Sequence, residues 1–100
     1  MPEVFTYGRW TVSPGKHDEF QAAWRDLADW TLANIEGEGW AKLLLDGEDP
    51  NLFLSFGVWT DPTAIQRWRS SDGFAEHIGR MRGMLDDFEA HIAQAVVEVG

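Results

Sequence analysis

Two stretches of this chain, Val4–Val12 ("VFTYGRWTV") and Leu52–Thr60 ("LFLSFGVWT"), carry large apolar side chains on both of their faces. In an extended strand successive side chains point to opposite sides. The first stretch therefore sets Val4, Thr6, Gly8, Trp10 and Val12 against Phe5, Tyr7, Arg9 and Thr11. The second sets Leu52, Leu54, Phe56 and Val58 against Phe53, Ser55, Gly57 and Trp59. A half-solvated antiparallel sheet shows one polar face, and neither stretch has one. The sheet they enter has to be covered on both sides. Which face meets the chain's own helices stays open, because strand one favours the Trp10 side and strand three the side opposite Trp59.

Between these strands the helical period takes over. "SPGKHDEF" ends the first strand and places Asp18 and Glu19 where a helix N-terminus favours negative charge. Phe20, Ala23, Trp24, Leu27, Thr31 and Ile35 then recur at helical spacing. Gly37 and Gly39 end that helix. "WAKLLLD" reads as a second strand and "GEDPN" as a turn. After the third strand, Asp61 suits an N-cap with Pro62 at the first helical position. Ala64, Ile65 and Trp68 begin a second helical region, "SSDG" interrupts it, and Phe74, Ile78, Met81, Leu85 and Phe88 resume the period. "RMRGMLDDFE" reads as a solvated helix face with Met81 and Met84 packing inward, and "HIAQAVVEV" as a last strand.

The element order is β-α-β-β-α-β. "GRWT" at Gly8–Thr11 returns as "GVWT" at Gly57–Thr60, each near the end of a strand and each soon followed by proline and a helix. Two matching βαβ halves predict a ferredoxin-like α+β fold on a four-stranded antiparallel sheet, in which strands one and three are expected to be central neighbours running parallel. Two helices cover one face of such a sheet. The other is expected to be covered by a second copy of the chain, giving a homodimer through the sheet face.

With 100 residues the chain is expected to form a single domain, 1–100. Six tryptophans and six phenylalanines favour pocket walls and interfaces. A net charge of −9 argues against nucleic acid and against anionic membrane surfaces, both of which call for clustered Lys and Arg. There is no cysteine, hence no disulfide, thiol nucleophile or thiolate metal site. His17, His77 and His91 are scattered and make no metal-ligand constellation, so no metal is expected. His17 is expected to be solvated beside Asp18 and Glu19, and His91 to start the last strand. "MPEVFTYGRW" lacks a basic segment followed by an apolar one, so a cytoplasmic location is expected.

"TVSPGKHDEFQAAW", "DPNLFLSFGVWTDPTAIQRW" and "SSDGFAEH" together resemble the antibiotic biosynthesis monooxygenase family over nearly the whole chain. The resemblance implies a dimeric α+β barrel. The family combines cofactor-independent monooxygenases, haem-degrading enzymes and members of no assigned activity. The haem-degrading branch resembles a triad of strand-one Asn, helix Trp and helix His. Here Trp68 matches, Gly8 stands at the asparagine, and His77 lies one residue nearer Phe74 than the usual ligand, a turn of about 100°. Haem degradation is therefore disfavoured and no cofactor is expected. The monooxygenase branch implies an aromatic, polyketide- or anthrone-like substrate that is deprotonated and then passes an electron to O₂. On that reading Trp59, Trp68 and Phe74 are candidate substrate-binding walls, His77 is the candidate base, and Tyr7 and Arg9 are candidate anion holders. The competing reading is a dimeric ligand-binding or accessory protein of the same fold without catalysis.

Overall fold

The four strands pair into one antiparallel sheet in the order β2-β3-β1-β4. The computed structural model describes residues 3–100. Its elements are β1 (Val4–Val12), α1 (His17–Asn34), β2 (Glu38–Leu45), β3 (Leu52–Trp59), α2 (Thr63–Arg69), α3 (Asp72–Arg82) and β4 (Leu85–Gln94). The central pair β1 and β3 runs antiparallel, with Thr6 opposite Gly57 and Gly8 opposite Ser55, and not parallel as the pattern suggested. The reason is topological. The α1 crossover returns the chain parallel to β1, the turn after β2 reverses it, and β3 slots between β1 and β2, opposed to both.

The helices lie on the face that carries Trp10 and Trp59 together, which resolves the ambiguity of the alternation. Trp10, Phe53, Phe20, Ala23, Leu27, Ile78 and Met81 form one buried cluster with Val12. Trp59, Ala64 and Ile65 form a second, and the half-buried Trp68 packs against both. The helical region breaks where "SSDG" placed the break. Ser71 is extended, and its Oγ accepts from Phe74 N at 3.1 Å to start α3. Asp61 accepts from Thr63 N at 3.0 Å ahead of α2.

Two boundaries differ from the sequence pattern. Leu85 and Phe88 continue the helical period on paper but lie in β4, because the chain turns at Gly83–Met84 and β4 pairs along β1 from Leu85 to Gln94. "DDFE" is therefore strand and not helix face. The strand ends at Gln94, so Val96, Val97 and Val99 are exposed and unpaired rather than part of the last strand. His91 sits mid-strand opposite Tyr7, and His17 is half-buried with Nε2 2.9 Å from Asn51 Oδ1. No helix of the described residues is long and apolar enough to cross a membrane.

Helices α1 and α3 are held by Arg80 Nη1 donating to Asp26 Oδ2 at 2.7 Å and by the ring of Trp30 lying on Gly73. A β-carbon at Gly73 would fall 2.0 Å from Trp30 Cζ2. Helix propensity alone has Gly→Ala stabilise by up to about 1 kcal/mol. Here the indole has to move, so Gly73→Ala should instead destabilise, by about 1–3 kcal/mol in urea unfolding. A variant more stable than the parent would show that the α1–α3 contact is loose.

Candidate functional site

Between the helix-facing side of the sheet and the helices lies a cavity of about 70 Å³. Its floor is made by Thr6, Gly8, Ser55 and Gly57 of the two central strands. Trp24, Thr31, Trp68 and Phe74 come from the helices, and Phe88 and Ala90 from β4. The aromatic walls pack on one another: Trp68 and Phe74 meet edge to face at 4.6 Å between centroids, and Trp59 backs Trp68 at 5.3 Å.

Each of three indoles near the cavity is tied to a hydroxyl. Trp10 Nε1 donates to Ser55 Oγ at 2.9 Å, Trp59 Nε1 to Thr6 Oγ1 at 3.0 Å, and Trp68 Nε1 to Thr31 Oγ1 at 2.8 Å. Thr31 also donates its own proton to Leu27 O at 2.7 Å, so that buried hydroxyl has no proton left to offer.

Among the described residues bordering the cavity, Glu38 is the one acidic side chain and Arg69, at the end of α2, the one basic side chain. The sequence hides Glu38, because Gly37-Glu38-Gly39 has the form of a helix stop and the strand pattern starts at Trp40. A break in register between Glu38 and Trp40 explains its position. Trp40 pairs with Val58 on the outer face, and Ala41 pairs with Gly57 on the inner. Regular alternation would put Glu38 outside. Gly39 is the extra residue of a β-bulge, which sets Glu38 opposite Trp59 and turns it inward. The signal available in the sequence was an acid framed by two glycines at a strand entrance. A β-carbon at Gly39 would come 2.8 Å from Val58 Cγ1, which accounts for glycine at the bulge.

Glu38 Oε2 is buried and has no hydrogen-bond partner among the described residues. Burial without compensation raises its pKa from 4.5 to about 7.

The sequence-derived candidates are distributed unevenly. Trp68 and Phe74 line the cavity, and Trp59 stands behind Trp68. Tyr7 borders it by strand position, but its ring stacks on Phe56 and His91 on the opposite face of the sheet, 6.4 and 4.9 Å between centroids. Arg9 is on that same outer face, paired with Glu89 at 3.3 Å. His77 does not border the cavity: its Nδ1 lies 2.7 Å from Gly73 O and its ring leans on Trp30. The physical reasons are strand alternation for Tyr7 and Arg9 and the helical phase for His77, which turns toward α1. Among the described residues no cluster of His, Asp and Glu is arranged to hold a metal ion.

The profile of the antibiotic biosynthesis monooxygenase family matches residues 4–80, and the chain belongs to that family. Among solved structures it is similar to SnoaB, a cofactor-independent oxygenase from Streptomyces nogalater, with 26% identity over 99% of this chain and 98% of that one and a TM-score of 0.87. A conserved protein from Methanosarcina mazei Go1 shares the fold at 24% identity, covering 93% and 92% of the two chains, with a TM-score of 0.83. No curated protein sequence matches the chain.

Between about pH 4.5 and 7 folded Glu38 keeps a proton that the unfolded chain has released. The native state therefore binds more protons in that window, and stability falls as pH rises through it. Glu38→Gln removes this loss. The variant's Tm, taken relative to the parent, should rise on going from pH 5 to pH 8 by on the order of a few degrees. Parallel Tm-against-pH curves would mean that Glu38 titrates normally.

Proposed function

We propose that the protein is a cofactor-independent monooxygenase of an aromatic, polyketide- or anthrone-like metabolite. The observation that carries the reading is the inward Glu38 carboxyl, whose buried Oε2 has no hydrogen-bond partner among the described residues and whose pKa is raised to about 7, at the edge of an aromatic-walled cavity. The similarity to SnoaB supports it.

A substrate of this class has an acidic C–H or O–H whose loss leaves a delocalised, electron-rich anion. Glu38 is the base that removes this proton, and a pKa near 7 matches the task at neutral pH. The anion passes one electron to O₂. The resulting radical pair joins as a peroxide on the ring carbon, and loss of water leaves a carbonyl. One CH₂ and one O₂ give one C=O and one H₂O, with no external reductant. Trp68 and Phe74 hold the flat rings and keep out water, with Trp59 bracing Trp68. In this scheme the base is Glu38 and not His77, whose ring nitrogen is engaged at Gly73 O.

With an anthrone as substrate, oxygen uptake above the uncatalysed rate should rise with pH through about 7, following Glu38. Glu38→Gln should lower kcat/KM by about 10²–10⁴-fold. Saturable binding with no oxygen uptake at any pH would favour the competing reading of a non-catalytic accessory protein.

The working unit in this reading is a homodimer joined through the outer face of the sheet. That face carries Phe5, Tyr7, Trp40, Leu44, Leu54 and Phe56, with Trp40 43% and Leu44 45% exposed. Two-fold pairing covers both copies with one interface. The repulsion of two acidic chains is screened over about 8 Å at physiological salt. Tyr7 and Arg9 then serve the interface rather than the cavity. Sedimentation at micromolar concentration in high salt should give twice 11.3 kDa, and Phe56→Glu should shift it toward one chain. A single-chain mass for the parent protein refutes the dimer.

A further inference from the structure

The two central strands repeat one arrangement. Thr6-Tyr7-Gly8-Arg9-Trp10 and Ser55-Phe56-Gly57-Val58-Trp59 share the order hydroxyl, aromatic, glycine, any residue, tryptophan. Antiparallel pairing sets Thr6 opposite Gly57 and Gly8 opposite Ser55, so each hydroxyl faces the other strand's glycine. Each tryptophan donates its indole N–H to the hydroxyl of the opposite repeat, Trp10 to Ser55 and Trp59 to Thr6.

The direction of these two bonds follows from chemistry alone. An indole N–H only donates, so each hydroxyl is an acceptor and keeps its own proton. Thr31, which donates to Leu27 O, shows what a spent hydroxyl looks like. Thr6 and Ser55 donate to no acceptor among the described residues, and both line the cavity. The glycines keep them uncovered: a β-carbon would come 2.9 Å from Ser55 Oγ at Gly8 and 3.2 Å from Thr6 Oγ1 at Gly57. Glycine inside a strand often marks close approach of a ligand.

We propose that the Thr6 and Ser55 hydroxyls are paired donors that hold the acceptor oxygens of the bound aromatic. The ligand class is thus an aromatic ketone or phenol rather than a bare hydrocarbon. The inference rests on the cavity being the substrate site assigned above. It adds to that reading the counterpart of Glu38: the carboxylate takes a proton from the ligand, and the hydroxyls stabilise the charge that gathers on ligand oxygen. Neither hydroxyl is a nucleophile or a base. Both are fixed in place by the indoles before a ligand arrives.

The experiment compares two ligands of similar shape, anthrone with its carbonyl and 9,10-dihydroanthracene without it, by quenching of tryptophan fluorescence under anaerobic conditions. Ser55→Ala and Thr6→Val should each weaken anthrone about tenfold, and leave 9,10-dihydroanthracene within about twofold of the parent; tenfold corresponds to about 1.4 kcal/mol. Thr6→Ser, which keeps the hydroxyl, should restore anthrone affinity. The hydrocarbon control separates loss of a donor from a general disturbance caused by the freed indole. Equal losses for both ligands, or no loss for anthrone, overturn the proposal while leaving the cavity as the substrate site. Failure of the parent protein to bind either ligand overturns the site assignment itself, and the proposal with it. Should Thr6→Val fail to fold, Ser55→Ala supports the same comparison alone.

Discussion

The structure depends on the reciprocal bonding of Trp10 and Trp59 across the β1–β3 pair. Each indole reaches over its own strand and donates to a hydroxyl on the other. The nitrogen of Trp10 lies 2.8 Å from where a Gly8 β-carbon would be, so the ring needs that glycine. A slip of one residue in register would turn every side chain of a strand to the other face. It would break both indole bonds, and the tryptophan left on the helix side would bury an unpaired N–H at a cost of about 1–3 kcal/mol. The clamp holds the register that sends Trp10 and Phe53 to the helices and leaves Phe5, Tyr7, Leu54 and Phe56 outside.

The same clamp makes the cavity. Two glycines diagonally placed at the centre of a sheet leave a hollow, and bulky indoles on either side keep the helices from closing it. Trp68, fixed by Thr31, and Phe74, positioned by the Ser71 cap of α3, stand over that hollow instead of filling it. Into its edge the bulge at Gly39 turns a carboxylate with no hydrogen-bond partner for one of its oxygens. Leaving a carboxylate in that state opposes folding, and the raised pKa of Glu38 is the measure of that cost. An uncompensated group of this kind at a cavity edge is the local inconsistency expected at a functional site.

The sheet's two faces divide the labour. The inner face holds the hydroxyls, the hollow and the carboxylate. The outer face joins Tyr7 to Phe56 and His91, Phe5 to Trp40, and Arg9 to Glu89. Adjacent residues of one strand, such as Thr6 and Tyr7, thus belong to different surfaces.

Much of the fold could be read locally. Apolar alternation marked the central strands, the 3.6-residue period of Phe20, Ala23, Leu27 and Thr31 marked the buried side of α1, and "SSDG" marked the break before α3, because strand pleat, helical period and capping are short-range physics. The echo of "GRWT" in "GVWT" contains half of the clamp, and only the pairing of the strands joins it to the hydroxyls two residues upstream of each glycine. Strand direction, the face of each central strand and the end of the helical period at Leu85 were decided by pairing between segments far apart in the chain. The fate of single side chains was decided the same way. His77 and Tyr7 look equally available for chemistry in the sequence, yet helical phase gives one to Trp30 and strand alternation gives the other to the outer face. Glu38 looks like part of a linker, and only the register of β2 against β3, one residue out of step at Gly39, turns it into the cavity.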